Sequence, residues 1–351
     1  VKRSILSLFL ILTVSATFSF AQRKKTVQVK PKPANSAEPL KPDQAGIEIP
    51  FVNKVLANGL EVIVLPDASI PLVTVEVAVR NGSFTEPPEL NGLSHLYEHM
   101  FFKPNQAIFV FNCERARAEK NNNYYYGAGC AETLKLKPRI GETNYLYEID
   151  DIGITSNAQT REEVVNYYLN TTSPNLNTAL QYMSHSIRFP TFDDQDLDDE
   201  IRVVVGEIDR NESNPFFYLD RAINDKLYFK FPTRKNPLGT RESVLAANTE
   251  KMRLIQNRYY VPNNSALVVT GNVDPESVFA LAEKYFGSWE RRTVDPFKEF
   301  PLVEHPPLPK SEGTIVEKSV ETDGRENVFV QIGWHGPSIG KDDAATYAAD
   351  V

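Results

Sequence analysis

One pair of histidines constrains this chain more than any other feature. Asn91–Lys103 reads NGLSHLYEHMFFK, and within it His95-Leu96-Tyr97-Glu98-His99 forms an H-x-x-E-H pattern. In a helix, residues four apart stand one above the other, so His95 and His99 share a face and Glu98 borders it. Two imidazoles one turn apart can grip a single zinc ion. A carboxylate beside them can take a proton from water at that metal. The pattern is the inverse of the H-E-x-x-H zinc helix. The chain has only five histidines, so this spacing is a specific signal. The bland alternative is a surface helix with two solvated histidines. Leu93, Leu96, Met100, Phe101 and Phe102 speak against it, because they give the helix an apolar side that must be buried.

At 351 residues the chain is long enough for one large domain or two, with a sizeable core. Its 41% hydrophobic and 24% charged residues exclude wholesale disorder. Residues 1–21 have the pattern of a secretory signal peptide: Lys2 and Arg3, an apolar run over Ile5–Val14, then Ser19-Phe20-Ala21 before a cut at Gln22. The alternative is a retained anchor. Nothing later reads as a membrane span, so the expectation is an exported, periplasmic or secreted protein with no stable membrane insertion. The net charge of −8 becomes −10 once Lys2 and Arg3 are removed, which argues against nucleic acid as a partner. Cys113 and Cys130 are the two cysteines, and in an exported protein they form a candidate disulfide.

Residues 22–49, rich in Lys and Pro, read as a flexible tether. Asn58-Gly59 marks a two-residue hairpin between Phe51–Leu56 and Glu61–Pro66. Leu72–Arg80 alternates as a half-buried strand, with Val73, Val75 and Val77 on one side. Asn91 or Gly92 is placed to cap the histidine helix. Pro104–Thr143 lacks a clear period and reads as a surface excursion, with a helix near Glu114–Lys120. Strands are expected at Ile154–Gln159 and Val164–Leu169. Ser173-Pro174 opens a helix to Ile187, within which His185 is assigned to structure. Another helix runs from Phe192-Asp193-Asp194 through Ile208. On it Glu200 and Glu207 are seven residues apart, two turns along nearly one face, which alone would suit a solvated acidic face. Helices over Phe216–Phe229 and Glu242–Tyr259, a strand over Ala266–Gly271 and a helix from Asp274-Pro275 to Phe286 follow. Residues 291–312 hold five prolines and suit an interdomain linker. Strands at Thr314–Glu321 and Val328–Trp334 and a helix from Lys341 repeat the opening order, as the start of a second, truncated copy over 313–351. The first domain is then 50–290.

Several stretches together resemble the pitrilysin, or insulinase-like, family of zinc metallopeptidases. They are His95–Lys103, Ser156-Asn157-Ala158-Gln159-Thr160, Ser173–Phe192, Glu200–Glu207 with Asn214-Pro215, and Tyr260–Trp289 with Thr270-Gly271-Asn272-Val273. The resemblance implies an α+β, two-layer domain: a mixed, largely antiparallel sheet with helices packed on one side. It implies that His95, His99 and Glu207 hold one Zn2+, that Glu98 is the catalytic base, that Glu200 supports the site and that Asn157 holds substrate backbone. The implied activity is metalloendopeptidase, acting on peptide substrates. A second homologous domain or a partner subunit would close the chamber. The interval from His99 to Glu207 is longer than is usual for the family, and the extra residues are placed in Pro104–Thr143. Two other readings stand beside this one: a non-catalytic partner subunit that binds peptides, and a purely structural zinc.

Overall fold

The computed structural model describes residues 50–145, 153–308, 330–337 and 343–349. The signal-like segment, the tether and the strand expected at Thr314–Glu321 lie outside the described residues.

β1 (Val52–Val55) and β2 (Glu61–Pro66) pair antiparallel. Their reversal is wider than a two-residue turn. Leu56 N–H donates to Leu60 O at 2.9 Å, and the Asn58 amide donates to the carbonyls of Phe286 at 2.8 Å and Trp289 at 3.1 Å. β3 (Leu72–Val79) buries alternate residues, as its pattern requires. The histidine stretch forms α1 (Leu93–Phe101). Residues 104–143 are helical where the sequence suggested an irregular excursion: α2 (Gln106–Ala118), α3 (Asn122–Gly127), α4 (Cys130–Thr133) and α5 (Lys137–Ile140). The expected helix at Glu114 begins eight residues earlier because the Asn105 side chain caps it, accepting from the N–H groups of Ala107 and Ile108. Cys113 on α2 and Cys130 on α4 are disulfide-bonded and fully buried, so the expected pairing is present.

β4 (Thr155–Thr160) and β5 (Val165–Thr172) lie within a residue or so of their expected starts. α6 (Leu176–Arg188), α7 (Asp194–Glu212) and α8 (Pro215–Leu227) follow. The single helix expected over Glu242–Tyr259 is two: α9 (Arg241–Leu245) and α10 (Thr249–Tyr259). Asn248 breaks the run by capping α10 through an N–H of Lys251, a local bond that competes with helix continuation. β6 (Ser265–Gly271) and α11 (Pro275–Phe286) complete the domain. The Pro-rich linker is not wholly irregular. It contains α12 (Pro296–Glu299), whose capping Asp295 pairs with Arg80 at 2.9 Å. Val330–Trp334, the described part of an expected strand, has no strand partner, and Val330, Ile332 and Trp334 stand exposed. A strand needs a neighbour to satisfy its backbone, and none of the described strands lies beside it. α13 (Asp343–Ala349) starts where a helix was expected.

Among the described residues six strands form one sheet in the order β1-β2-β6-β3-β5-β4. β2 and β6 run parallel, and the other neighbours are antiparallel. Val75 sits between Leu169 and Val269, and Val77 between Tyr167 and Leu267. These six side chains are fully buried on one face, beneath α1, α6 and α11. Each Val or Leu so buried contributes about 1.5–3 kcal/mol. The opposite residues, such as Thr74, Glu76 and Asn166, are polar and only partly covered. The architecture is thus the expected mixed α+β sheet with helices on one side. The consequence for the site is that α1 lies across β4 and β5 at one end of the sheet and packs against α7 on its outer side.

Candidate active site

The start of α1 is held by a residue the sequence did not single out. Its N-cap is Gly92, at φ 88°, which offers no side-chain acceptor. A Cβ there would lie 2.6 Å from Gly239 Cα and Leu238 O, so the chain approach requires glycine. The buried carboxylate of Glu86 supplies the missing cap. It accepts from Gly92 N–H at 2.8 Å, Ser94 N–H at 2.6 Å and the Asn91 amide at 3.3 Å. Burial pushes Glu86 above the usual carboxylate range, and these bonds oppose it. Leu93, Leu96, Tyr97, Met100 and Phe101 then seat the helix in the core, with Tyr97 stacked on Tyr260 at 3.7 Å. That leaves His95, Glu98 and His99 on the half-buried side.

α7 comes to meet them. Asp193 caps it, and Leu197, Ile201, Val204 and Ile208 form its buried stripe. The seven-residue spacing brings Glu200 and Glu207 to the same side, facing α1. Glu207 Oε2 lies 3.6 Å from His95 Nε2 and 3.9 Å from His99 Nε2. One ligand atom from each of His95, His99 and Glu207 lies within 4.8 Å of the others. Ligands about 2.0–2.2 Å from a tetrahedral zinc stand about 3.3–3.6 Å apart, close to the two imidazole–carboxylate separations, so these residue types and their placement fit the metal. Burial, and then the neighbouring His99, hold His95 down to about 3. An imidazole held so low is neutral at pH 7, so its contact with Glu207 is not an ion pair. His95 Nδ1 is buried without a hydrogen bond to the protein.

Glu200 does a different job. Its Oε2 takes the Nδ1–H of His99 at 2.7 Å, which turns His99 Nε2 toward Glu207. Its Oε1 takes Lys103 Nζ at 2.6 Å. Burial alone would push Glu200 up, but the bonds from Lys103 and His99 outweigh it and hold the carboxyl below its usual range. Glu98 behaves oppositely. Burial pushes it up, with Glu207 adding to the rise, while Thr160 and His99 oppose it. Thr160 Oγ1 donates to Glu98 Oε2 at 2.6 Å.

The structure thus brings His95, Glu98, His99, Glu200 and Glu207 together from two helices. Asn157 is elsewhere: it is exposed on β4, on the face opposite Thr160, with its Oδ1 accepting from Ala158 N–H at 2.8 Å. His185 is buried, its Nδ1 bonded to Tyr145 at 2.8 Å, in keeping with a structural role. Lys103, Thr160 and Glu86 were missed from sequence. Lys103 stands four residues after His99, and Glu86 only six before Gly92, spacings that could have flagged both; Thr160 acts across 62 residues, which no local pattern encodes.

An α+β domain that sets an H-x-x-E-H helix against a second helix bearing two glutamates defines a class of metallopeptidase-type folds, and the comparisons with known proteins agree. The chain belongs to the insulinase, or M16 peptidase, family: the model "Insulinase (Peptidase family M16)" matches residues 62–108 and 138–240, and "Peptidase M16 inactive domain" matches 246–351. Residues 109–137, between the first two matched stretches, fall in the disulfide-bonded helices, where the extra length was expected. The chain is similar to an uncharacterized zinc protease of Bacillus subtilis, YmxG, at 28% identity, covering 67% of this chain and 49% of that protein. It is also similar to human insulin-degrading enzyme, at 29% identity over 72% of this chain and 22% of that one. A crystal structure of a Helicobacter pylori protease shares the fold, with TM-score 0.54 and 21% identity over 74% of this chain and 52% of that one. The chain spans about half the length of its bacterial relatives and less of the human one.

Proposed function

We propose that the chain carries the zinc centre of an exported endopeptidase that cleaves peptides or unfolded polypeptides. The observation behind this reading is the convergence of His95, His99 and Glu207, with the Glu98 carboxylate beside them. When bound, zinc supplies Lewis-acid activation of water and of the scissile carbonyl. His95, His99 and Glu207 would hold it, and three protein ligands leave a position open for the reactants. A purely structural zinc would instead call for four. Glu200 fixes the tautomer of His99, so that Nδ1 keeps its proton and Nε2 offers its lone pair. Glu98 accepts a proton from the attacking water and passes it to the leaving nitrogen. Burial raises it, the direction that suits a group that must hand on the proton it takes.

The substrate lies extended along β4, the end strand of the sheet, adding one more strand through backbone bonds. Asn157, on the exposed side of β4, holds that backbone. A second homologous domain, beginning near residue 313, or a partner subunit closes over the site. Export to the periplasm or beyond is supported by the signal-like start and by the buried disulfide. Among the described residues no helix is long and apolar enough to cross a membrane.

The test is hydrolysis of an unstructured peptide by the zinc-loaded chain, compared with Glu98→Gln. Activity in the wild type that drops by several orders of magnitude in the variant, with zinc retained by both, is the expected result. A zinc-free, inactive wild type would instead favour a non-catalytic partner subunit.

A further inference from the structure

β4 carries more than a free edge. Its side chains alternate: Thr155, Asn157 and Gln159 are exposed, while Ser156, Ala158 and Thr160 are half-buried toward α1. At the end of this inner row the Thr160 hydroxyl reaches Glu98 Oε2 at 2.6 Å. The contact spans 62 residues of sequence and ties the strand to the helix. Thr160 is itself well anchored. It pairs with Val165 on β5, and the next residue, Arg161, donates its N–H to Val164 O at 2.9 Å. As a β-branched residue in a strand it has little χ1 freedom, so its hydroxyl direction is set by the backbone.

We infer that Thr160 is the positioning residue of Glu98, and that β4 therefore orients the base with one side chain while its outer edge receives the substrate. The inference rests on the reading of Glu98 as the base. The chemical type of the partner supports it. A hydroxyl on an anchored strand residue fixes the direction of one carboxylate oxygen with a single short bond and brings no charge of its own into the site. A long, half-buried Glu with no such partner would sample several rotamers, and only some would place an oxygen toward the reacting water. The hydroxyl of Thr160 is bonded to Glu98 and not to His95, His99 or Glu207, so Thr160→Val removes no hydrogen bond from the three residues that would hold the metal.

Three variants test this: Thr160→Val, which keeps the shape and loses the donor; Thr160→Ser, which keeps the donor; and Thr160→Val combined with Glu98→Gln. A charge-assisted hydrogen bond of this kind sets the scale at roughly a tenfold or greater loss of kcat in Thr160→Val. KM and the zinc dissociation constant stay within about twofold of wild type by the same reasoning, and Thr160→Ser recovers most of kcat. In the Glu98→Gln background, Thr160→Val has no further effect on the residual rate, and peptide affinity measured in that background is unchanged. Wild-type kcat in Thr160→Val, a serine variant as poor as the valine one, or loss of zinc with the valine change would each overturn the proposal. Full activity in Glu98→Gln would overturn the base assignment itself, a result distinct from any of these.

Discussion

Replacing Lys103 by methionine probes whether the two-helix site works as a chain of oriented contacts. Lys103 holds Glu200 at 2.6 Å, and Glu200 holds His99 at 2.7 Å. The side chains are 26% and 13% exposed, so the pair is neither at the surface nor fully buried. A hydrogen bond between charged groups contributes about 1.5–3 kcal/mol when sheltered, and an exposed pair about 0–1. A value of about 1–2 kcal/mol is reasonable here, or roughly 5–30-fold in an equilibrium constant. Without Lys103, Glu200 loses its own cation beside the carboxylate of Asp196, while Arg202 stays paired with Asp199, and Glu200 accepts a proton more readily. A protonated Glu200 holds His99 less firmly, so the zinc dissociation constant rises by that factor. Simple electrostatics predicts the reverse, because a positive charge near a cation has been removed. Competition for zinc against a chromogenic chelator at pH 7 decides between them. Weaker binding in Lys103→Met, with recovery in Lys103→Arg, supports orientation as the dominant effect. Unchanged or tighter binding refutes it.

Cutting the disulfide with Cys113→Ser should loosen α2–α4 without dissolving the site. Closing a loop with 17 residues of separation is worth about 3 kcal/mol on the chain-entropy scale, so hydrogen exchange of those helices should speed by about a hundredfold while α1 and α7 stay protected. Uniform exchange across all five helices would refute it. His185 should make the domain sensitive to acid. Burial, with Arg188 nearby, lowers it from 6.5 to about 4; with one ring N–H given to the Ile140 backbone, the neutral imidazole leaves Nδ1 to accept from the Tyr145 hydroxyl. With the folded pKa below the unfolded one, the unfolded chain binds the proton more readily. Stability is then lost as pH falls from about 6.5 to about 4, by about 3 kcal/mol in all. Urea unfolding of His185→Gln should show a lower stability at pH 7 and a shallower loss over that window; an identical slope in both proteins contradicts the assignment.

What could be read from the chain divides along physical lines. α1, β3 and α6 announce themselves because their burial patterns are local: a period of 3.6 or 2 with caps or breaks at the ends. Glu207 is different. Its place opposite His95 depends on how α7 packs across a hundred residues of chain, and only the resemblance to a family selected it from the other acids of that helix. Thr160 lies further from reach, since it acts on α1 through a contact made by the tertiary fold alone, whereas Glu86 is close in sequence but caps α1 from a turn that no standard capping pattern describes. The helix over Glu242–Tyr259 failed in the opposite way. Its apolar residues keep helical spacing on both sides of the break, and the capping signal Asn248-Thr249 outweighs them. Residues 104–143 hid their helices because their apolar residues serve a small satellite core and a disulfide, and do not face the main sheet.

The proposed chemistry requires the metal to sit at one place in the fold. The most direct measurement is a crystal structure of the zinc-loaded chain with anomalous data collected on both sides of the zinc edge. It should show a single peak between α1 and α7, bound by His95, His99 and one Glu207 oxygen, with a fourth position not filled by a protein side chain and Glu98 still bonded to Thr160. A peak elsewhere, or four protein ligands around it, would contradict the account.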